Sequence, residues 1–224
     1  MIKNISNLGD TALYCDFGDE VNKDINSQVI KYFRSLKKRN IEGIINLTPS
    51  YNKLIISFDL NKTNFREIKK LVENENVNEI NMDSVKIIEI PVCCEDTFAL
   101  DIERLEIKLS LKREKIYENF FNKEYFCYMT GFIAGMPFLG DLEQNMRLNR
   151  LETPRVKVPK GSIGLTEQFA NIYTFESPGG WNIIGNTPIK IFDSSKEENP
   201  NLINPGDTVN FKKISLKEYN NFNE

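Results

Sequence analysis

Between Gly131 and Pro188 the chain carries eight of its twelve glycines, five of its nine prolines and its single tryptophan, Trp181. Glycine admits positive φ and close backbone approach, whereas proline fixes φ and removes a hydrogen-bond donor. That density, with short apolar runs in between, predicts tight turns joining short strands and makes the segment the natural place for a binding surface. From residue 125 onward helical periodicity is nearly absent. Strand candidates fall at 162–165, 169–175, 182–184, 189–192 and 208–214, the pattern of a barrel or sandwich. Asn204-Pro205-Gly206-Asp207 places Pro and then Gly at the central positions, which predicts a type II turn.

The first 92 residues read differently. Short strands are expected at 2–5 and 12–17, then a helix over 22–39 whose buried face is Ile25, Val29, Phe33 and Leu36. Strands at 43–48 and 53–58 form a hairpin, a second helix starts near Thr63 as N-cap, and a strand over 85–92 closes the unit. Two β–α–β passes around a hairpin predict a small ferredoxin-like α/β sandwich. Two short helices, 101–109 and 110–121, follow, the second capped by Ser110. The domains are therefore placed at 1–92 and 93–224, and the fold class is α+β.

Composition narrows the chemistry. The chain has 224 residues, 29 basic and 32 acidic side chains, and a formal charge of −3, which gives no reason to expect nucleic acid or an anionic membrane as partner. No apolar run is long enough to span a bilayer, and the first residues lack the apolar core of a secretory signal, so a cytoplasmic location is expected. Cys15, Cys93, Cys94 and Cys127 contain no CxxC pair and read as reduced and mostly buried. Histidine is absent. This excludes a histidine-based triad, imidazole acid–base catalysis and a His/Cys zinc site, and no metal is expected.

Several residues could form a site. Arg155 and Lys157 lie two apart in an extended Pro154–Pro159 segment, so they share a face and could hold a carboxylate or phosphate; paired surface charges are the plainer reading. Ser177-Pro178-Gly179-Gly180-Trp181 is a turn whose backbone could cradle an anion and whose ring could stack on a planar ligand or plug the core. Ser177 lacks a histidine to activate it. The run around Gly135 and Pro137 matches neither a Walker loop nor a dinucleotide fingerprint; its apolar character predicts packing against its own core or a partner. Gln168 and Tyr173 flank a strand and could donate hydrogen bonds in a pocket. No catalytic residue is singled out.

Taken together, GFIAGMPFLGDL, TPRVKVPKGSI, IYTFESPGGWNIIGNTP and NPGDTVNFKKI resemble the KipI/5-oxoprolinase B-subunit family, also called allophanate hydrolase subunit 1, a carboxyltransferase subdomain C/D family. The resemblance covers most of residues 85–215. It implies an α+β N-terminal domain followed by a cyclophilin-like β-barrel. It also implies action within a complex, with a KipA or C-type homologue and a LamB/YcsF-type partner, that hydrolyses 5-oxoproline to glutamate with ATP. A KipI-like inhibitor of a sensor histidine kinase, and the small part of an allophanate hydrolase or urea carboxylase assembly, are the alternatives the family offers. The chain departs from the family at Ala134, Met136, Phe169 and Ala170, and a histidine the family often carries falls at about Phe120 here.

Overall fold

The computed structural model describes residues 2–77, 80 and 86–222. The chain divides into two compact units, Met1–Val85 and Lys86–Glu224. In the first, β1 (Asn4–Asn7), β2 (Ala12–Asp16), α1 (Lys23–Arg39), β3 (Ile44–Pro49), β4 (Lys53–Phe58) and α2 (Phe65–Glu73) follow in order. The strands form an antiparallel sheet in the order β1-β2-β4-β3. α1 begins where the apolar period begins: extended Asn22 accepts from the Ile25 amide at 3.0 Å, and left-handed Asn40 ends the helix. Val29 and Leu36 from the expected face are buried, Ile25 and Phe33 pack at its margin, and Tyr32 completes it. Against them stand Leu54, Ile56 and Phe58, alternate residues of β4. Each such side chain contributes about 1.5–3 kcal/mol by leaving water.

Two local expectations change in detail. The cap of α2 is Asn64, whose side chain accepts from the Glu67 amide, while the Thr63 hydroxyl donates to the Glu67 carboxylate. The amide side chain one residue later reaches the N3 amide, so the threonine becomes an accessory. The strand expected over 85–92 runs from Ile87 to Cys93 (β5) and leaves the first sheet altogether, Val85 lying outside the described residues. Ile90 and Val92 bury in the core of the second unit, and β1 holds the place beside β2.

The second unit continues with α3 (Ile102–Leu109), α4 (Arg113–Phe121), β6 (Glu124–Thr130), β7 (Pro137–Gly140), β8 (Arg155–Val158), β9 (Ser162–Thr166), β10 (Phe169–Ile172), β11 (Ser177–Gly179), β12 (Asn182–Asn186), β13 (Thr208–Ile214) and α5 (Leu216–Asn221). Seven strands close a barrel in the order β10-β7-β6-β13-β5-β12-β9, and β8 with β11 makes a separate ribbon. β5 and β13 pair in parallel from Thr208 opposite Ile87 to Ile214 opposite Cys93. Residues of alternate register, among them Ile90, Cys127, Leu139, Ile163, Leu165, Ile172 and Val209, fill one apolar cluster. Phe120 of α4 joins it, stacked on Phe211 with centroids 4.7 Å apart, and Tyr125 donates to the Phe120 carbonyl at 3.0 Å. Ser110 does not cap α4. It ends α3 in the left-handed conformation at φ 54°, and α4 starts after Lys112 without a side-chain cap. The 204–207 turn forms as expected, with Gly206 at φ 94° and the Asp207 amide donating to the Asn204 carbonyl. The segment 189–192 is no strand; Phe192 makes only an isolated bridge to Asn201.

Candidate functional site

The Gly/Pro-rich segment builds a ribbon and one wall of the barrel. In the ribbon Gly179 lies opposite Arg155 and Ser177 opposite Val158. The two cations of β8 do not act as a pair. Arg155 sends both guanidinium nitrogens to the carboxylate of Asp101, at 2.9 and 2.6 Å, and that carboxylate also accepts from the Ile183 amide at 2.6 Å. Asp101 is 6% exposed and stands at the N-cap of α3, yet its side chain makes no cap bond. It ties helix, ribbon and β12 together instead. Lys157 is exposed and pairs with Glu176 at 2.9 Å, which raises its pKa.

Beyond the ribbon the wall is tightly filled. Trp181 is 6% exposed, sits edge-to-face with Phe138 at 5.5 Å and has the Arg150 guanidinium over its ring at 6.0 Å. It plugs the wall and offers no open face for stacking. Tyr173 is 1% exposed; its hydroxyl pairs with Asn171 and the Trp181 backbone, and burial raises its pKa. The hydroxyl expected to serve a pocket is therefore spent internally. A Cβ at Gly179 would come within 2.2 Å of that hydroxyl, and one at Gly164 within 2.9 Å of the Trp181 Cβ. These glycines are required by close approach, whatever their φ.

The remaining candidates lie apart from this contact set. Gln168 donates to Asp141 at 3.1 Å, a carboxylate that also accepts from the Tyr128 hydroxyl. Gly135, at φ 70°, faces the Phe192 ring, where a Cβ would sit 2.5 Å away, and Pro137 opens β7 opposite Thr130. The apolar run thus packs within its own unit through Met136 and Leu139, while Phe132 stays exposed. The Ser177 hydroxyl is buried and has no partner among the described residues. Gly180 accepts the Leu151 amide through its carbonyl. Asp101 is not signalled by any local spacing, because its partners Arg155 and Ile183 are distant in sequence.

The cysteines are all free and buried. Burial pushes the thiols of Cys15 and Cys94 up to about 12 and that of Cys127 higher still, which disfavours a thiolate nucleophile. The two cations offered for a nucleoside triphosphate are not free: Arg155 is held by buried Asp101, and Lys157 pairs at the surface with Glu176. No helix among the described residues is long and apolar enough to cross a membrane.

Fold and wall together define a mixed α/β protein with a closed seven-stranded barrel, its glycine-rich ribbon locked to the barrel by a buried carboxylate. The family model for the carboxyltransferase domain, subdomain C and D, matches residues 3–203. The 5-oxoprolinase B subunit of Bacillus subtilis is 33% identical over 233 residues, 98% of this chain and 96% of its own length. That of Haemophilus influenzae is 31% identical, covering 93% of this chain and 96% of its own. The urea amidolyase of Saccharomyces cerevisiae is 24% identical over 96% of this chain, which spans only 13% of that protein. A crystal structure of TTHA0988 superposes with a TM-score of 0.84 at 26% identity, over 92% of this chain and 40% of that one. The chain belongs to the family of 5-oxoprolinase B subunits, within the carboxyltransferase subdomain C and D proteins.

Proposed function

We propose that this chain is the B subunit of an ATP-dependent 5-oxoprolinase, a cytoplasmic complex in which it acts with partner subunits and not alone. The observation that carries the reading is the near full-length match, on both sides, to the B subunit of the B. subtilis enzyme. The partners in this reading are the KipA or C-type homologue of this chain and the LamB/YcsF-type protein. ATP is used by the complex; Arg155 and Lys157 of this chain are each paired with a carboxylate. The first unit is read as a ferredoxin-like variant whose fourth strand is β1, and the barrel as cyclophilin-like. A lactam amide is very stable, so opening it requires charge stabilisation at its oxygen in a preorganised site; this chain supplies a rigid wall to such a site.

A second reading, part of an allophanate hydrolase or urea carboxylase assembly, is favoured only by the similarity to urea amidolyase, at 24% identity. The test of both is co-purification with the candidate partners followed by ATP-dependent release of glutamate from 5-oxoproline. Turnover that requires this chain is the expected result. A stable complex without that turnover would shift the assignment to the carboxylase-type assembly, and no complex at all would overturn both.

A further inference from the structure

We infer that a small cleft at the foot of β9 and β12 binds a compact monocarboxylate through Lys160 and Thr187. The cleft is open to solvent, has a volume of about 180 Å³ and is lined by Gly161, Tyr173, Thr187, Ile191 and Tyr219, with exposed Lys160 beside them. Its shape is held by backbone. The Thr187 amide donates to the Gly161 carbonyl at 2.9 Å, and Gly161, at φ 81°, lies so close that a Cβ would stand 2.4 Å from the Thr187 carbonyl. Tyr219 of α5 forms the opposite wall and is fixed by its hydroxyl, which donates to Asn186 at 2.8 Å.

The polar groups left over point to an anion. Lys157 and Lys190 each hold a carboxylate, but Lys160 forms no ion pair among the described residues. Thr187 is 3% exposed; its oxygen accepts from the Ile189 amide at 3.3 Å, while its own proton meets no acceptor among the described residues. Leaving a buried donor unmatched is unfavourable. Both tyrosine hydroxyls are already committed, and no carboxylate among the described residues lines the cleft. A cation with no ion pair and a buried hydroxyl therefore line one cavity, whose apolar side is Pro188, Ile189 and Ile191.

Size selects the ligand. The volume equals about six water molecules, which suits a molecule of fewer than about ten non-hydrogen atoms. A five-membered ring bearing one carboxylate has this size and polarity. That the ligand is 5-oxoproline itself rests on the reading above; the cleft's preference for a small carboxylate does not.

The test uses L-5-oxoproline as probe and 2-pyrrolidinone, the same ring without the carboxylate, as control. Titration of the full chain followed by amide NMR is expected to give saturable shifts centred on Gly161, Thr174 and Thr187 with 5-oxoproline and none with 2-pyrrolidinone. Lys160→Ala should weaken binding about 10- to 100-fold, as loss of a charge-assisted bond predicts, and Lys160→Arg should restore part of it. In the assembled complex Lys160→Ala should raise KM by a similar factor with kcat little changed. If wild-type complex turns 5-oxoproline over while Lys160→Ala leaves KM unchanged and no shifts arise at the cleft, the cleft is wrong and the 5-oxoprolinase reading stands. Saturable shifts lost in Lys160→Ala, in a chain whose complex shows no turnover, uphold the cleft and remove the 5-oxoprolinase reading.

Discussion

Replacing Arg155 by alanine should destabilise the barrel unit, because the side chain is a clamp and not a free cation. The fork makes two charge-assisted bonds, at 2.9 and 2.6 Å, to a carboxylate that is 6% exposed. Removing one member of a buried pair costs about 3–5 kcal/mol when the other is left uncompensated. Two features lower that figure here. The Arg155 side chain is 27% exposed, so solvent screens part of the attraction, and the Ile183 amide still donates to Asp101 after the change. A loss of about 2–3 kcal/mol remains, which for a chain of this size lowers the melting temperature by roughly 5–10 °C. The assay is thermal unfolding followed by circular dichroism for Arg155→Ala, Asp101→Asn and the double variant. The two losses should be strongly non-additive, since both remove the same interaction. Arg155→Lys should fall in between, keeping the charge without the planar fork. Additive effects, or an Arg155→Ala melt within a degree of wild type, would refute the clamp and return Arg155 to the role of a surface cation available for a ligand.

Three further outcomes are expected. Trp181→Ala should cost about 3–5 kcal/mol, measured by urea unfolding, since the ring is buried against Phe138; a wild-type midpoint would show it does not pack. Gly179→Ala should destabilise by about 1–3 kcal/mol, because the added carbon meets the Tyr173 hydroxyl within 2.2 Å, and an unchanged melt would mean the ribbon shifts freely. The thiols of Cys15 and Cys94 titrate near 12 when folded but near 9.0 when exposed, so their contribution to stability is complete below pH 9 and is lost as pH rises toward 12. Iodoacetamide at pH 8 should accordingly label the native chain far more slowly than the urea-unfolded one; equal rates would contradict the burial.

Much of the first unit is legible in the sequence because its signals are local. Asn22 caps the helix one residue before it begins, and the alternation in 53–58 places Leu54, Ile56 and Phe58 on one face without reference to anything distant. Ser110 misleads because a serine before a helical pattern fits an N-cap, while the turn that α3 actually ends with needs only a residue that tolerates positive φ. The strand after residue 85 has the right character but no mark of its partner. Parallel pairing with β13 is settled by a stretch more than a hundred residues away.

The candidate site divides along the same line. Glycine and proline density in 131–188 predicts turns, short strands and close packing, and the absence of histidine removes imidazole chemistry, both from composition and spacing alone. The partner of Arg155 could not be read that way: Asp101 lies 54 residues upstream, and a bidentate pair depends on where two chain segments meet in space. Likewise Trp181 becomes a plug because Gly164 and Phe138 come to it from other strands. Residue type and order decided which elements form. Tertiary structure decided which charges are paired and which, like that of Lys160, have no ion-pair partner among the described residues, because desolvation and pairing depend on neighbours that the sequence does not place side by side.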